Sequence, residues 1–488
     1  MARCIYYFGE SHSEKISDFI VFTFFEERGR AEKRMECLYL DAELSKEKEE
    51  EEDAQPRQLH RLLPHLQPPP TSAPSLSKLS TSATTLRQRL RVYVNGPIIV
   101  GAGPSGLATA ACLQLLHLPF LLLEKESCIA SLWHQRTYDR LKLHLPKAFC
   151  SLPFMPFPAH FPDYPTRDQF LAYLDAYCRH FHLRPRFGQC VESATFDHVT
   201  GLWHVSIMGA EFEYLCRWVV VATGENAVPD LPELPGREAF KGNVVHSVCY
   251  KNGEGLRGKE VLVVGCGNSG MEVCLDLCEH GAKPFMVVRN GVHVLPRDMF
   301  GVSTFRVAMA LSKWLPLKMV DMILVFLAER MFGCTQECGL RRPEIGPLEL
   351  KRKTGKTPVL DVGAIPMIKS RKIKIMAAID TLTTNGAKFV DGKELEFHSI
   401  ILATGYKSDF SSWLKDCNSF SEDEDEKIQT IPCNWKGQNG LYFVGFAGKG
   451  LQGIRLDAER TTDNIRRQWT DLPENKHFMV QSELRGTW

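Results

Sequence analysis

Two glycine-rich turns, and the residue that follows each of them, carry the clearest chemistry in this chain. The first reads GAGPSG, with Gly101, Gly103 and Gly106; the second reads GCGNSG, with Gly265, Gly267 and Gly270. Each follows a short apolar run, PIIV (97–100) or VLVV (261–264), and each opens into a stretch with helical spacing. In such a strand, turn and helix, the first glycine permits the turn and the second lets the backbone approach a pyrophosphate. The third lets helix and strand pack closely, so that the helix N-terminus faces the phosphates. What comes next differs between the two. FLLL ends at Glu124, a carboxylate placed to accept hydrogen bonds from a ribose 2′-hydroxyl. VVRN carries Arg289, a planar cation that matches phosphate oxygens; a solvated arginine at a strand end is the alternative reading. The acid selects an unphosphorylated ribose such as that of FAD, and the arginine selects the 2′-phosphate of NADPH. Two such sites in one chain imply a flavin and a nicotinamide placed to exchange hydride.

These loops need sheets to hold them. VVVATG closes at Gly224 and IILATG at Gly405, one returning strand for each nucleotide-binding half. The fold class expected is therefore α/β, with two Rossmann-like dinucleotide-binding domains behind a disordered N-terminal extension. An FAD domain spans 96–234 and 391–470, an NADPH domain (235–390) is inserted in it, and residues 471–488 form a tail. The extension, 1–95, contains an almost continuous acidic run (47–53), three prolines (68–70) and a Ser/Thr-rich stretch, a composition too poor in apolar surface to offset ordering entropy.

Composition excludes other classes. Over 488 residues the formal net charge is +1 and no basic patch stands out, so nothing suggests nucleic acid or an anionic membrane. The apolar region 305–332 is interrupted by Lys313, Lys318, Asp321, Glu329 and Arg330, which suits amphipathic helices packed on the protein rather than a membrane span. The 16 cysteines, without a signal peptide, read as reduced intracellular thiols; Cys274 and Cys278 share a helix face that suits the core, and Cys334 and Cys338 lack the partners of a zinc site, so no metal is expected. No CxxC or CxxxxC pair adjoins either loop, which argues against a disulfide reductase. The location expected is cytoplasmic, with peripheral association at the endoplasmic reticulum as a variant and the oligomeric state open.

Between the loops, Phe240, Gly242, His246 and Tyr250 fit the pattern FxGxxxHxxxY, which resembles the fingerprint of class B flavin-dependent monooxygenases. The resemblance narrows with LWHQRTYDRLKLHLPKAFCSLPFMPFP, HVLPRDMFG, GPLELK, GKTPVLDVG, ILATGYKSD and GLYFVGF, which look like the plant YUCCA flavin monooxygenases over roughly residues 97–469. That resemblance implies NADPH- and O2-dependent oxidative decarboxylation of indole-3-pyruvate to indole-3-acetate, the auxin, through a C4a-peroxyflavin. The protein then orients the reactants and excludes water, because the flavin carries the difficult step.

The same resemblance sets Trp133 and LKLHLPK along the flavin. His144 stands where related monooxygenases often carry asparagine, and it is either a hydrogen-bonding group near the flavin or a structural histidine. His246 and Tyr250 are expected where the domains meet, in a hinge or positioning role ahead of acid–base catalysis. Asn268 either reaches NADP or caps its helix, with Ser269 beside it on the cofactor. Arg136, Arg140 and Lys142 are the candidates for the substrate carboxylate. One stretch departs from the family: 448–455, where a reading nearer GFTRRGLLGAS is usual, so altered substrate fit is open. Two competing functions remain, an N- or S-oxygenating monooxygenase on the same parts, and a flavin-binding interaction protein that turns nothing over.

Overall fold

The computed structural model describes residues 90–415 and 435–472. The acidic run, the proline cluster and nearly all of the tail expected at 471–488 lie outside those residues.

Two parallel sheets organise the chain. The first runs in the order Leu441–Phe443, Val219–Val221, Ile98–Val100, Leu121–Leu123. The second runs Lys374–Met376, Lys283–Val287, Glu260–Val264, Ser399–Leu402, Asn243–His246. Ile98 to Val100, Val219 to Val221 and Val261 to Val263 are all buried, as expected for strands covered on both faces, where no polar alternation is tolerated. In each sheet a glycine loop leaves the carboxyl end of an interior strand and enters a helix, Pro104–Leu115 or Asn268–Glu279. The long helix Gly450–Thr470 packs on the first of these and contributes Ile454, Ala458 and Ile465 to that core.

The two loops are built alike. A Cβ added at Gly106 would overlap the carbonyl of Gly101, and one added at Gly270 would overlap the carbonyl of Gly265, so each helix lies on its own turn with no room for a side chain. At Gly103 and Gly267 an added Cβ meets nothing within 4 Å. Those two positions open outward.

Two expected boundaries shift. The FAD domain was expected to resume at residue 391, but Ser399–Leu402 pairs in parallel with both Glu260–Val264 and Asn243–His246. IILATG therefore completes the second sheet, and the chain returns to the first half only beyond it. Apolar patterning cannot tell which sheet a buried strand joins; hydrogen-bond pairing decides. The extension was expected to reach residue 95, yet Leu90–Tyr93 pairs in parallel with Phe212–Cys216 at the edge of a four-stranded sheet, and Val92 packs on its core. Four residues with alternating apolar side chains suffice once an edge is there to accept them.

The chain crosses between the halves twice, and the crossings pair with each other. Val228–Pro229 lies antiparallel to Tyr406–Lys407, and the Lys407 ammonium reaches the Asp230 carboxylate at 2.6 Å. Among the described residues no helix is long and apolar enough to cross a membrane.

Gly270→Ala is expected to lower stability by about 1–3 kcal/mol, because the new methyl has no space. Gly267→Ala, whose methyl meets no neighbour, is expected to cost less, at most about 1 kcal/mol for the poorer N-cap residue. Urea unfolding of both variants reads the difference, and equal losses would contradict this loop geometry.

Candidate active site

Parallel strands place both cradles at carboxyl edges, the position in which open α/β sheets bind ligands. Val100 pairs with Leu123, so Glu124 stands beside Gly101 at the mouth of the first loop. Its buried carboxylate accepts the Ala102 N–H at 2.7 Å and the Glu126 N–H at 3.1 Å, and the Ser131 hydroxyl lies 3.5 Å away. The acid is fixed against the loop it serves, and it has further lone-pair capacity for a hydroxyl donor. Trp133, on the short helix Ser131–Gln135, lies edge-on to Phe170 with ring centroids 4.5 Å apart. Gly224 closes the returning strand in a left-handed conformation, φ +85°, with nothing within 4 Å of an added Cβ.

In the second unit Val264 pairs with Val287, which leaves Arg289 just beyond the mouth of the Gly265 loop. It is exposed and makes no hydrogen bond or ion pair among the described residues. A buried acid below the loop and an unpaired cation beyond it are what a hydroxyl and a phosphate respectively require.

Neither helix N-terminus is capped by a side chain; the N-cap positions are Gly103 and Gly267. The first-turn N–H groups therefore face the open positions, and the residues present fit two pyrophosphates. Asn268 does not cap its helix, whose N-cap is Gly267: its Oδ1 accepts the Leu360 N–H at 3.0 Å and ties the helix to the neighbouring strand Val359–Asp361. The Tyr138 phenol is buried, and burial drives its pKa well above the ordinary value.

Tyr138 belongs to the first half but is buried in the core of the second, beside Val261, Met271 and Tyr250. It begins a seam. The helix Asn268–Glu279 carries Ser269, Glu272, Asp276 and Glu279 three or four residues apart, on one face. Glu272 is buried and its Oε1 lies 2.7 Å from the His144 Nε2. The Arg140 guanidinium lies 3.0 Å from the Glu279 carboxylate. The Tyr250 hydroxyl donates to the Asp276 carboxylate at 2.6 Å, and burial together with that charge pushes the phenol strongly up. A tyrosine so held is a donor and does not ionise. His144 is thus a joining residue, its ring on the acidic helix of the opposite half.

His246 ends a strand of the second sheet. The Val248 N–H donates to its Nδ1 at 3.2 Å, so Nε2 carries the proton and donates to the Gly405 carbonyl at 3.1 Å. Its ring is edge-on to Tyr406, 5.1 Å between centroids, and burial lowers its pKa. Both nitrogens are engaged at the crossing between halves, which leaves neither for proton transfer to a substrate.

The three cations proposed for a carboxylate are differently placed. Arg136 donates to the Ala227 carbonyl and lies 3.7 Å from Glu126, Arg140 is held by Glu279, and Lys142 sits in an isolated bridge with Thr166. The unusual stretch 448–455 enters the long closing helix, and the Gly448 N–H donates to the Glu225 carboxylate at 2.9 Å, next to Gly224. Burial raises the Glu225 pKa. Sequence reasoning missed Glu272, Asp276 and Tyr138. The available signal was two acids inside MEVCLDLC, an otherwise apolar helix whose burial obliges each acid to have a partner.

Two uncapped helix N-termini at carboxyl sheet edges, one beside a buried acid and the other beside an exposed arginine, fit a flavin- and nicotinamide-dependent oxidoreductase. Residues 97–432 match the flavin-binding monooxygenase-like family. The probable indole-3-pyruvate monooxygenase YUCCA4 of Arabidopsis thaliana is 56% identical over 379 residues, covering 78% of this chain and 92% of that protein. The indole-3-pyruvate monooxygenase YUCCA1 of Oryza sativa subsp. japonica is 53% identical over 385 residues, covering 79% and 95%. Among solved structures, an oxidized steroid monooxygenase bound to NADP shares the fold with a TM-score of 0.61 at 18% identity, over 78% of this chain and 85% of that one. The chain belongs to the flavin-binding monooxygenase-like family and, within it, to the YUCCA monooxygenases.

Tyr250→Phe deprives buried Asp276 of its donor and is expected to cost about 1–3 kcal/mol of stability while FAD stays bound. Unfolding followed by flavin fluorescence measures it, and an unchanged midpoint would remove this bond from the seam.

Proposed function

We propose that this protein converts indole-3-pyruvate, O2, NADPH and a proton into indole-3-acetate, CO2, NADP+ and water. The observation that carries the reading is the seam: His144 and Arg140 of the first half lie 2.7 Å from Glu272 and 3.0 Å from Glu279, on the helix that opens the second cradle, and Tyr138 is buried against that half, which supports a flavin and a nicotinamide held in one body. Identity above 50% to named indole-3-pyruvate monooxygenases, over more than three quarters of the chain, supports the substrate.

In this reading FAD lies on Gly101, Gly103, Gly106, Glu124, Trp133 and Gly224, and NADPH on Gly265, Gly267, Ser269, Gly270 and Arg289. Bound FAD, reduced by NADPH, supplies the activation of O2. The chain supplies the rest. The two helix N-termini hold the phosphates, Glu124 holds the adenosine ribose of one cofactor, and Arg289 holds the 2′-phosphate of the other. His246, Tyr250 and His144 are positioning residues that fix one cradle relative to the other and keep water from the crevice. The FAD unit is 96–234 with the chain beyond residue 402, and the NADPH unit lies between. Free thiols, among them exposed Cys249 and Cys334, support a reducing, cytoplasmic location.

Arg289→Ala is expected to raise KM for NADPH by about ten-fold or more, equivalent to about 1–3 kcal/mol, with little change for NADH. Steady-state kinetics with both nucleotides reads this, and equal effects would remove the phosphate from Arg289. The reaction itself is tested with FAD-loaded protein, NADPH, air and indole-3-pyruvate. Indole-3-acetate, quantified by mass spectrometry against the spontaneous breakdown of the keto acid, is expected in stoichiometry with NADPH consumed. Hydrogen peroxide without that product would refute the substrate assignment, and bound flavin with no NADPH loss would refute an enzyme.

A further inference from the structure

A 2-oxo acid needs a cation for its carboxylate, and two of the arginines expected to supply it, Arg136 and Arg140, are already held by the Ala227 carbonyl and Glu279. A different arginine stands at the seam. Arg297 follows the strand Val294–Pro296, which lies parallel to Val359–Asp361, and its backbone N–H donates to the Asp361 carbonyl at 3.2 Å. Leu360 of that partner strand is the residue tied to Asn268, so the backbone of Arg297 is anchored beside the helix that opens the second cradle.

Its side chain reaches the other half. The guanidinium carbon lies 4.1 Å from the centroid of the Tyr164 ring. Tyr164 adjoins Pro165, whose carbonyl accepts the Leu143 N–H at 2.9 Å, and Leu143 precedes the His144 that meets Glu272. The contact between Arg297 and Tyr164 therefore belongs to the same seam. A guanidinium stacked on a ring has its plane fixed. Asp298 fixes it further: one carboxylate oxygen accepts the Tyr164 hydroxyl, and the other accepts the Arg297 Nε–H at 3.1 Å. Burial first, and then the bond to Asp298, push the phenol up to about 12, so the tyrosine stays the donor.

Asp298 takes only the Nε–H. The two terminal nitrogens of Arg297 have no partner among the described residues, and its side chain is 28% exposed, shielded yet open to a ligand. A planar fork with a free edge suits an anion that accepts two parallel hydrogen bonds. Such an anion has two sources in this reaction, the carboxylate of the substrate and a phosphate of a nucleotide. The phosphates already have the two uncapped helix N-termini and Arg289. A cation already half-balanced by Asp298 suits a monoanion better than a dianion.

We propose that Arg297 holds the carboxylate of the 2-oxo acid through its two terminal nitrogens and thereby selects acids over neutral carbonyl compounds. Tyr164 supplies the ring on which the fork rests, and Asp298 sets its rotation. The inference rests on the indole-3-pyruvate reading above and adds to it the group that recognises the acid.

The test compares the FAD-loaded parent with Arg297→Gln and Arg297→Lys. Calorimetric titration measures binding of two unreactive ligands, indole-3-propionate and its neutral amide, and steady-state kinetics measures KM for indole-3-pyruvate and for NADPH. The parent is expected to bind the acid at least about ten-fold tighter than the amide. Arg297→Gln is expected to lose that preference and to raise KM for indole-3-pyruvate by about ten-fold or more, with KM for NADPH unchanged. Arg297→Lys, which keeps the charge without the fork, is expected to fall between them. General damage to the fold weakens acid and amide alike, so their ratio is the deciding quantity. An unchanged ratio in Arg297→Gln would overturn the proposal, as would a rise in KM for NADPH alone, which assigns the fork to the nucleotide. A preference for the acid that Arg297→Gln abolishes, in a parent that forms no indole-3-acetate, would support this site and refute the reaction; turnover by Arg297→Gln at the parent KM would do the reverse.

Discussion

Everything in the arrangement of the two cradles depends on the acidic face of one helix. Asn268–Glu279 is packed into the core of the second half, and Glu272 and Asp276 are nonetheless buried within it. A carboxylate in that position is expensive unless it is hydrogen-bonded. Its partners come from outside the helix: Tyr250 from the stretch before the second sheet's central strand, and His144 from the first half. Satisfying Glu272 therefore fixes where the first half must lie. Nonspecific apolar contact would tolerate sliding, whereas the directional contact of His144 with Glu272 at 2.7 Å does not.

The same helix opens the second phosphate cradle. One end of it presents free N–H groups to an anion, and its length carries the bonds that hold the opposite half against it. Its first turn is uncapped, and one turn further on Glu272 meets His144 of the first half. Cofactor placement and domain placement are thus coupled through one helix. The crossing between the halves follows the same economy, because His246, the paired crossings and the Asp230–Lys407 contact gather at a few residues around Gly405.

The contrast between Glu124 and Arg289 shows how two copies of one local plan acquire different ligands. Both residues follow the strand next to a glycine loop. The acid is buried and already oriented by backbone donors, which suits a neutral hydroxyl that needs an acceptor in a fixed place. The arginine is exposed and unrestrained, which suits a dianion approaching from solvent. The same turn serves both because its work is done by backbone groups, and specificity is left to a single side chain outside it.

The glycine loops, the apolar strands, the helices behind them and the positions of Glu124 and Arg289 after the neighbouring strands were legible in the sequence, because each rests on residues close together in the chain. Spacing within a turn and a run of buried valines are local properties, and the backbone has few ways to satisfy them. The sheet joined by Ser399–Leu402, the strand formed by Leu90–Tyr93, the reach of Asn268 to Leu360 and the bonds of His144 and Tyr250 were not legible. Each joins segments far apart in sequence, and the same residues could have been satisfied by water, a cap or another strand. The sequence by itself determined that this protein has two glycine-rich dinucleotide cradles, with an acid following one and an arginine the other. Only the tertiary structure decided how the cradles are locked together, because buried acids take whichever donors the folded chain brings within hydrogen-bonding distance.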